Sequence, residues 1–259
     1  MTRSTSPPLF SGQNISLEFV AGDERITAIA PTNITVPLGK ITVIYGPSGS
    51  GKSSLLNVLS GLQRPTAGTL LYKGIDVYAQ NQDELAHFRA TELGIVYQSN
   101  YWVKSLSVLE NVSLPQYFLG VSKVNANAMA KLALERVDMV GHAAKSPVLL
   151  SGGEQQRIAM ARAIINDSAV IIADEPTGNL DSRNGDMIIN LLVELQEVSD
   201  KTVILVTHNM EYLHIAHHLI HVQDGNITQI KTNDIPKTIK SMLKETQARM
   251  DRLMGGQHS

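Results

Sequence analysis

The run Gly46-Pro47-Ser48-Gly49-Ser50-Gly51-Lys52-Ser53, entered from the apolar stretch Ile41-Thr42-Val43-Ile44-Tyr45, constrains this chain more than any other part of it. It matches the pattern G-x-x-x-x-G-K-[ST], in which glycines let the backbone curl until successive N–H groups face inward around an anion. The apolar run Leu55-Leu56-Asn57-Val58-Leu59 follows, as a helix would whose positive end points at the same place. Strand, glycine loop and helix together predict a phosphate cradle. Lys52 supplies a mobile positive charge for β- and γ-phosphates, Ser53 a hydroxyl suited to Mg²⁺, and Ser54 a further hydrogen bond.

Three more short apolar runs, Gly94–Tyr97, Ala169–Ala173 and Val203–Val206, read as strands of a parallel sheet covered on both faces. Each is followed or ended by a polar group: Gln98, Asp174-Glu175 and Thr207-His208. Ligands of open α/β sheets sit beyond the carboxyl ends of the strands, so these groups and the cradle are expected at one edge. A lone carboxylate ending a buried strand is costly, and Mg²⁺ near Asp174 would offset that cost. The side chain of Glu175 points away from that of Asp174 and is the candidate base for water.

Period-two alternation at Asn14–Phe19, Arg25–Ile29 and Asn33–Val36, with a turn at Gly22-Asp23, predicts short strands near the start. The segment from Ser99 to Asn166 carries helical signals at Ala126–Val140 and Glu154–Ile165. Asp224-Gly225 marks a hairpin. The expected division is an α/β core over 1–98 and 166–231, an inserted helical subdomain over 99–165, and a helical tail over 232–259. In the tail Ile239, Met242, Leu243, Met250 and Leu253 fall at helical spacings, as in a helix packing on its own domain or on a partner.

A second anion-holding end lies at Leu150-Ser151-Gly152-Gly153-Glu154-Gln155-Gln156-Arg157. Ser151 and Glu154 make a capping box, and the freed N–H groups and helix dipole favour an anion. A cap does not need two glycines, which weaken a helix; close approach of a phosphate would explain them.

The ordered set resembles the ATP-binding-cassette (ABC) ATPases over nearly the whole chain: GPSGSGKSS at 46–54, Gln98, LSGGEQQR at 150–157, VIIADEP at 170–176, Gly178-Asn179-Leu180-Asp181 and His208. The resemblance implies an α/β P-loop cassette with a mostly parallel core sheet, an antiparallel β subdomain and an inserted helical subdomain. It implies ATP and Mg²⁺ as ligands, with Ser53, Gln98 and Asp174 toward the metal. Phe19 would stack on adenine; its alternative is a core aromatic on an alternating strand. Glu175 would be the catalytic carboxylate, His208 and Lys52 would meet the γ-phosphate, and Gln98 would contact the attacking water. Ser151, Gly152 and Gly153 would bind the γ-phosphate of a nucleotide held by a second copy, with Asn179 and Asp181 at that interface.

The subtype is similar to ATPases of lipoprotein-releasing and macrolide-exporting permeases, on residues 19–24, Leu55-Leu56-Asn57, 110–115 and 176–181. It implies a place on the cytoplasmic face of the cell membrane through a permease, with Tyr101, Trp102 and Val103 where that partner is met. Core packing is the other reading of Trp102. A cell-division-type ATPase regulating wall hydrolases is the alternative; a soluble ABC ATPase acting on DNA or ribosomes is a further one, which the sequence argues against, with neither a second cassette, a long coiled coil nor a basic stripe.

Composition agrees. The net charge of −2 gives no pull toward nucleic acid, and without cysteine there is no disulfide or thiolate chemistry. No run approaches the ~20 apolar residues of a membrane span. The pattern His214-x-x-His217-His218-x-x-His221 would be a metal site on one helix, but it runs from a helix end into a strand and reads as solvated or packed histidines.

Overall fold

The computed structural model of the chain describes residues 8–230 and 234–241. It opens with a long hairpin, β1 (Pro8–Ala21) and β2 (Glu24–Pro37). Then come β3 (Ile41–Tyr45), α1 (Lys52–Leu59), β4 (Ala67–Tyr72), β5 (Ile75–Asp76), α2 (Gln82–Glu92) and β6 (Leu93–Val96). Three helices follow, α3 (Val108–Phe118), α4 (Lys123–Arg136) and α5 (Gly152–Ile164). The chain continues through β7 (Val170–Asp174), α6 (Ser182–Glu197), β8 (Thr202–Thr207), β9 (His218–Gln223) and β10 (Asn226–Ile230).

Two sheets organise these elements. A four-stranded antiparallel sheet has the order β2-β1-β4-β5, and a six-stranded sheet has the order β10-β9-β3-β8-β7-β6. In the larger sheet every pair is parallel except β9–β10. All residues of β3 and β8 are buried, as strands covered on both faces must be. Alternate residues feed two separate cores: Val43, Ile171, Val203 and Leu205 join α3 to α6 on one face. Ile44, Ile172, Ile204 and Val206 join α1 and the antiparallel sheet on the other. Because β3, β8, β7 and β6 are neighbours and parallel, their carboxyl ends share one edge.

Several boundaries differ from the sequence expectation. Arg25–Ile29 and Asn33–Val36 are not two strands but parts of β2; Pro31 is tolerated inside it because β2 is an edge strand. The helix expected at Ala126–Val140 is α4, which stops at Arg136, and Asp138 at φ 55 ends the turn in the left-handed region. Residues 99–107 hold no helix except a turn, although they were expected within a helical stretch. Beyond β10, residues 235–241 are helical, with Ile235 and Ile239 packed on the larger core. Met242, Leu243, Met250 and Leu253 lie outside the described residues.

Fully buried Asn111, on α3, ties down the irregular segment between β6 and α3. Its Oδ1 accepts from Val103 N at 3.0 Å. Its Nδ2 donates to the carbonyls of Val103, Leu106 and Ser107 at 3.1, 3.1 and 2.9 Å. Asn111→Ala is expected to lower the unfolding free energy by about 2–3 kcal/mol, the cost of leaving such groups unpaired. Equilibrium urea unfolding measures it, and a change below about 0.5 kcal/mol, typical of an unconstrained surface position, would show that Asn111 does not hold the segment.

Candidate active site

Two of the loop glycines are required by their surroundings. A Cβ on Gly46 would lie 1.9 Å from the Val222 carbonyl oxygen, and one on Gly51 would lie 2.4 Å from that of Ala28. Gly46, Gly49 and Gly51 have φ of 156, 76 and 108°, conformations that side chains disfavour. Gly51 is the N-cap of α1 and offers no side-chain cap, so the first N–H groups of α1 face the loop's interior. Lys52 is buried, and its Nζ donates to the carbonyls of Gly46 and Pro47 at 2.9 and 2.8 Å. Pro47 and Ser48 form the exposed crest, while Ser50 is buried with an unpartnered hydroxyl. A hairpin turn at Asp224-Gly225 braces the loop, Gly225 N donating to Ser50 O at 2.9 Å.

A cavity of about 480 Å³ opens on this loop, lined by Phe19, Ile26, Gly49 to Ser54 and Asp224, among others. Phe19 is 42% exposed on the cavity wall, so it is not a core aromatic. Thus the phosphate-type loop and an aromatic face share one cavity.

At the carboxyl end of β7, burial, then the charge of Glu175, pushes the Asp174 carboxyl up, and Lys52 opposes the rise. Carboxylate, hydroxyl and amide oxygens, as Asp174, Ser53 and Gln98 offer, are hard donors of the kind Mg²⁺ takes, so the residue types fit that ion, although Ser53 and Gln98 line different cavities. Glu175 sits at φ 48 in the left-handed region, its N–H donating to Val206 O at 2.9 Å. That turn carries its carboxylate to His208: Oε2 lies 2.7 Å from His208 Nδ1 and 3.3 Å from His208 N. The pairing of these two side chains was not foreseen from the sequence. Their neighbourhood follows from the register of β7 on β8, in which Asp174 faces Val206.

Gln98 is exposed two residues past β6 and lines a separate, smaller cavity of about 180 Å³ with Gly152, Gln155, Glu175 and Asn179. Above it, Ser151 caps α5. Glu154 N donates to Ser151 Oγ at 3.4 Å, and Glu154 Oε2 accepts from Ser151 N at 2.8 Å. The Ser151 hydroxyl, which also donates to Glu154 Oε2 at 2.8 Å, and then the Ser151 N–H hold the Glu154 carboxyl below its usual range. The two glycines part company here. Gly153 is buried, and a Cβ would lie 2.7 Å from Asn184 Cγ, so packing on α6 already constrains it. Gly152 is exposed, and a Cβ there would meet nothing nearer than 3.8 Å. Asp181 caps α6, accepting from Asn184 N at 2.9 Å and Nδ2 at 2.8 Å, and these bonds hold its carboxyl down. Asn179 is exposed beside Gly152.

Two further groups are placed differently. The four histidines do not converge. His221 stacks on Tyr45 at 4.8 Å, Ile41 N donates to His217 Nδ1, and burial holds His218 and His221 below the usual imidazole range. Among the described residues no group of three His, Cys, Asp or Glu could hold a metal. Tyr101 and Trp102 point apart: Tyr101, at φ 48, is 74% exposed, whereas Trp102 packs against the larger core. The groove next to them, about 510 Å³, is lined instead by Leu62, Tyr97, Pro115, Phe118 and Arg162, among others. Neither Leu62 nor Phe118 was singled out from the sequence, although both are exposed apolar side chains.

The sequence matches the ABC transporter family over residues 29–178. The chain belongs to that family. An uncharacterised ABC transporter ATP-binding protein of Thermotoga maritima is 40% identical over 83% of this chain and 91% of its own length. The macrolide export ATP-binding/permease protein MacB of Bradyrhizobium diazoefficiens is 38% identical over 88% of this chain but 35% of its own length. The chain thus spans about a third of that relative. Among solved structures, a bacterial ABC transporter cassette in dimeric form is 35% identical with a TM-score of 0.81, over 86% of this chain and 98% of its own. The same cassette is known as a dimer in a post-hydrolysis state bound to ADP and phosphate, at the same identity and TM-score. As a member, this chain is an ATP-binding ATPase cassette.

The glycine pair gives a test of packing. Gly153→Ala is expected to destabilise by about 1–3 kcal/mol, the usual cost of overpacking. Gly152→Ala should stay within about 0.5 kcal/mol of wild type. Thermal unfolding of the two variants side by side measures the contrast, and equal losses would contradict it.

Proposed function

We propose that this chain hydrolyses ATP as one half of a head-to-tail pair and drives a membrane permease of the export type. One observation carries the reading: no residue of 150–157 lines the cavity on the phosphate loop, and Gly152 lines another. Two anion-holding ends that share no cavity in one chain are both used when a second copy supplies the missing half, as two-fold symmetry allows. The dimeric form of the similar cassette supports this.

In the proposed site, Phe19 stacks on adenine and the N–H groups of 46–54 hold the phosphates. Ser53, Asp174 and Gln98 would hold magnesium, which when bound supplies positive charge at the β- and γ-phosphate oxygens. Glu175 accepts a proton from the attacking water, and the Lys52 ammonium stabilises the charge growing on the γ-phosphoryl oxygens. His208, its Nδ1 engaged by Glu175, reaches the phosphate with Nε2. Ser151 and Gly152 of the partner copy close the far side, where bare Gly152 admits a phosphate oxygen.

Among the described residues no helix is long and apolar enough to cross a membrane. In this reading the permease docks in the groove of Leu62, Phe118 and Arg162, with exposed Tyr101 at its margin. Similarity to the export ATP-binding/permease protein supports such a partner.

Glu175→Gln is expected to cut steady-state ATP turnover by about 100-fold or more, in line with loss of a general base. It should keep nucleotide binding and elute as a dimer with Mg·ATP. Gly152→Trp should likewise bind ATP as a single chain and fail to turn over. Phosphate-release assays with size-exclusion chromatography test both, and turnover close to wild type in either variant would sink the two-copy site.

A further inference from the structure

Trp102, the chain's single tryptophan, is engaged from two sides. Its indole N–H donates to Gln155 Oε1 at 2.8 Å, and Gln155 Nε2 donates to the Leu150 carbonyl at 2.9 Å. Leu150 immediately precedes Ser151 and Gly152. Against the ring, the Arg162 guanidinium lies 4.6 Å from the centroid and donates to Asn100 O at 2.6 Å. Arg162 is also a wall of the groove beside Phe118.

We infer that Trp102 is a positioning residue that fastens the 150–153 loop to the groove wall. Gln155 is the link. Both ends of its amide are used, one by Trp102 and one by Leu150, so its orientation is set. A leucine or phenylalanine at 102 would fill space but offer no donor, leaving Gln155 Oε1 unmatched. Movement of Arg162 shifts the indole by direct contact, and the two hydrogen bonds carry that shift to the loop. Arg162 and the loop are both on α5 or at its start, but the helix axis passes only rigid motion. The side-chain path adds control over the loop's own conformation. This deepens the proposed function and rests on Gly152 meeting a phosphate of the partner copy.

Trp102 also packs in the core, so the test must separate fastening from filling. Trp102→Phe keeps a ring and removes the donor. It is expected to lower kcat about 10-fold, the scale of a small misplacement of a reacting group. ATP affinity of the single chain should be unchanged, while the melting temperature should fall somewhat with the smaller ring and the unmatched Gln155 Oε1. Gln155→Met should show the same loss, and the double variant should be no worse than either alone, as for two members of one link. In a Glu175→Gln background the emission of Trp102 should shift on adding Mg·ATP, and Gln155→Met should abolish that shift. Wild-type kcat in Trp102→Phe, additive losses, or an emission shift that survives Gln155→Met would each overturn the link. If Trp102→Phe does not fold, Gln155→Met leaves the ring in place and decides by both readouts. If the unmodified protein itself does not turn over ATP, the proposed function fails, while the emission response still reports on the link.

Discussion

The approach of Gly46 to Val222 and of Gly51 to Ala28 is the contact on which the rest depends. A loop that binds through backbone N–H groups has no side chains with which to correct its shape. Its shape comes from what it is pressed against. Here that is the end of β9 on one side and β2 on the other, with the Gly225–Ser50 hydrogen bond closing the gap. The antiparallel hairpins are therefore not decoration on the parallel sheet. They form part of the mould for the phosphate loop, and through Phe19 they also supply the aromatic wall of its cavity.

The edge of the large sheet was legible in the sequence because each apolar run ended in a group that makes no sense inside a core: Gly46, Gln98, Asp174, His208. The chain gave weaker signals for β4, β5 and α2. Leu70-Leu71-Tyr72 is cut short by a turn at Lys73-Gly74 with φ of 49 and 83°, and only Leu85 and Phe88 of α2 are buried, too few to make a stripe. The unity of β2 was hidden by Pro31, whose meaning depends on whether the strand has a neighbour on that side.

Within the site, residue types were readable and their pairings were not. That Glu175 and His208 touch depends on strand register and on one left-handed residue. That Gly153 and Gly152 are bare for different reasons depends on Asn184, which is remote in sequence and close in space. Asp181, expected at an interface, also has work inside its own chain as the cap of α6. Trp102 had two readings from sequence; its neighbour Tyr101, turned outward by its backbone, took the exposed one.

The six residues between Asp174 and the cap at Asp181 are short of slack. Gly178 N bonds Glu175 O at 3.1 Å, Leu180 N bonds Thr177 O at 3.1 Å, and Pro176 between them is buried. Two overlapping turns thus connect Glu175 to the cap of α6. Asn179 and Asp181 are exposed at the far end of this stretch, just before α6. The same six residues therefore both shape the turn that orients Glu175 and present Asn179 to solvent.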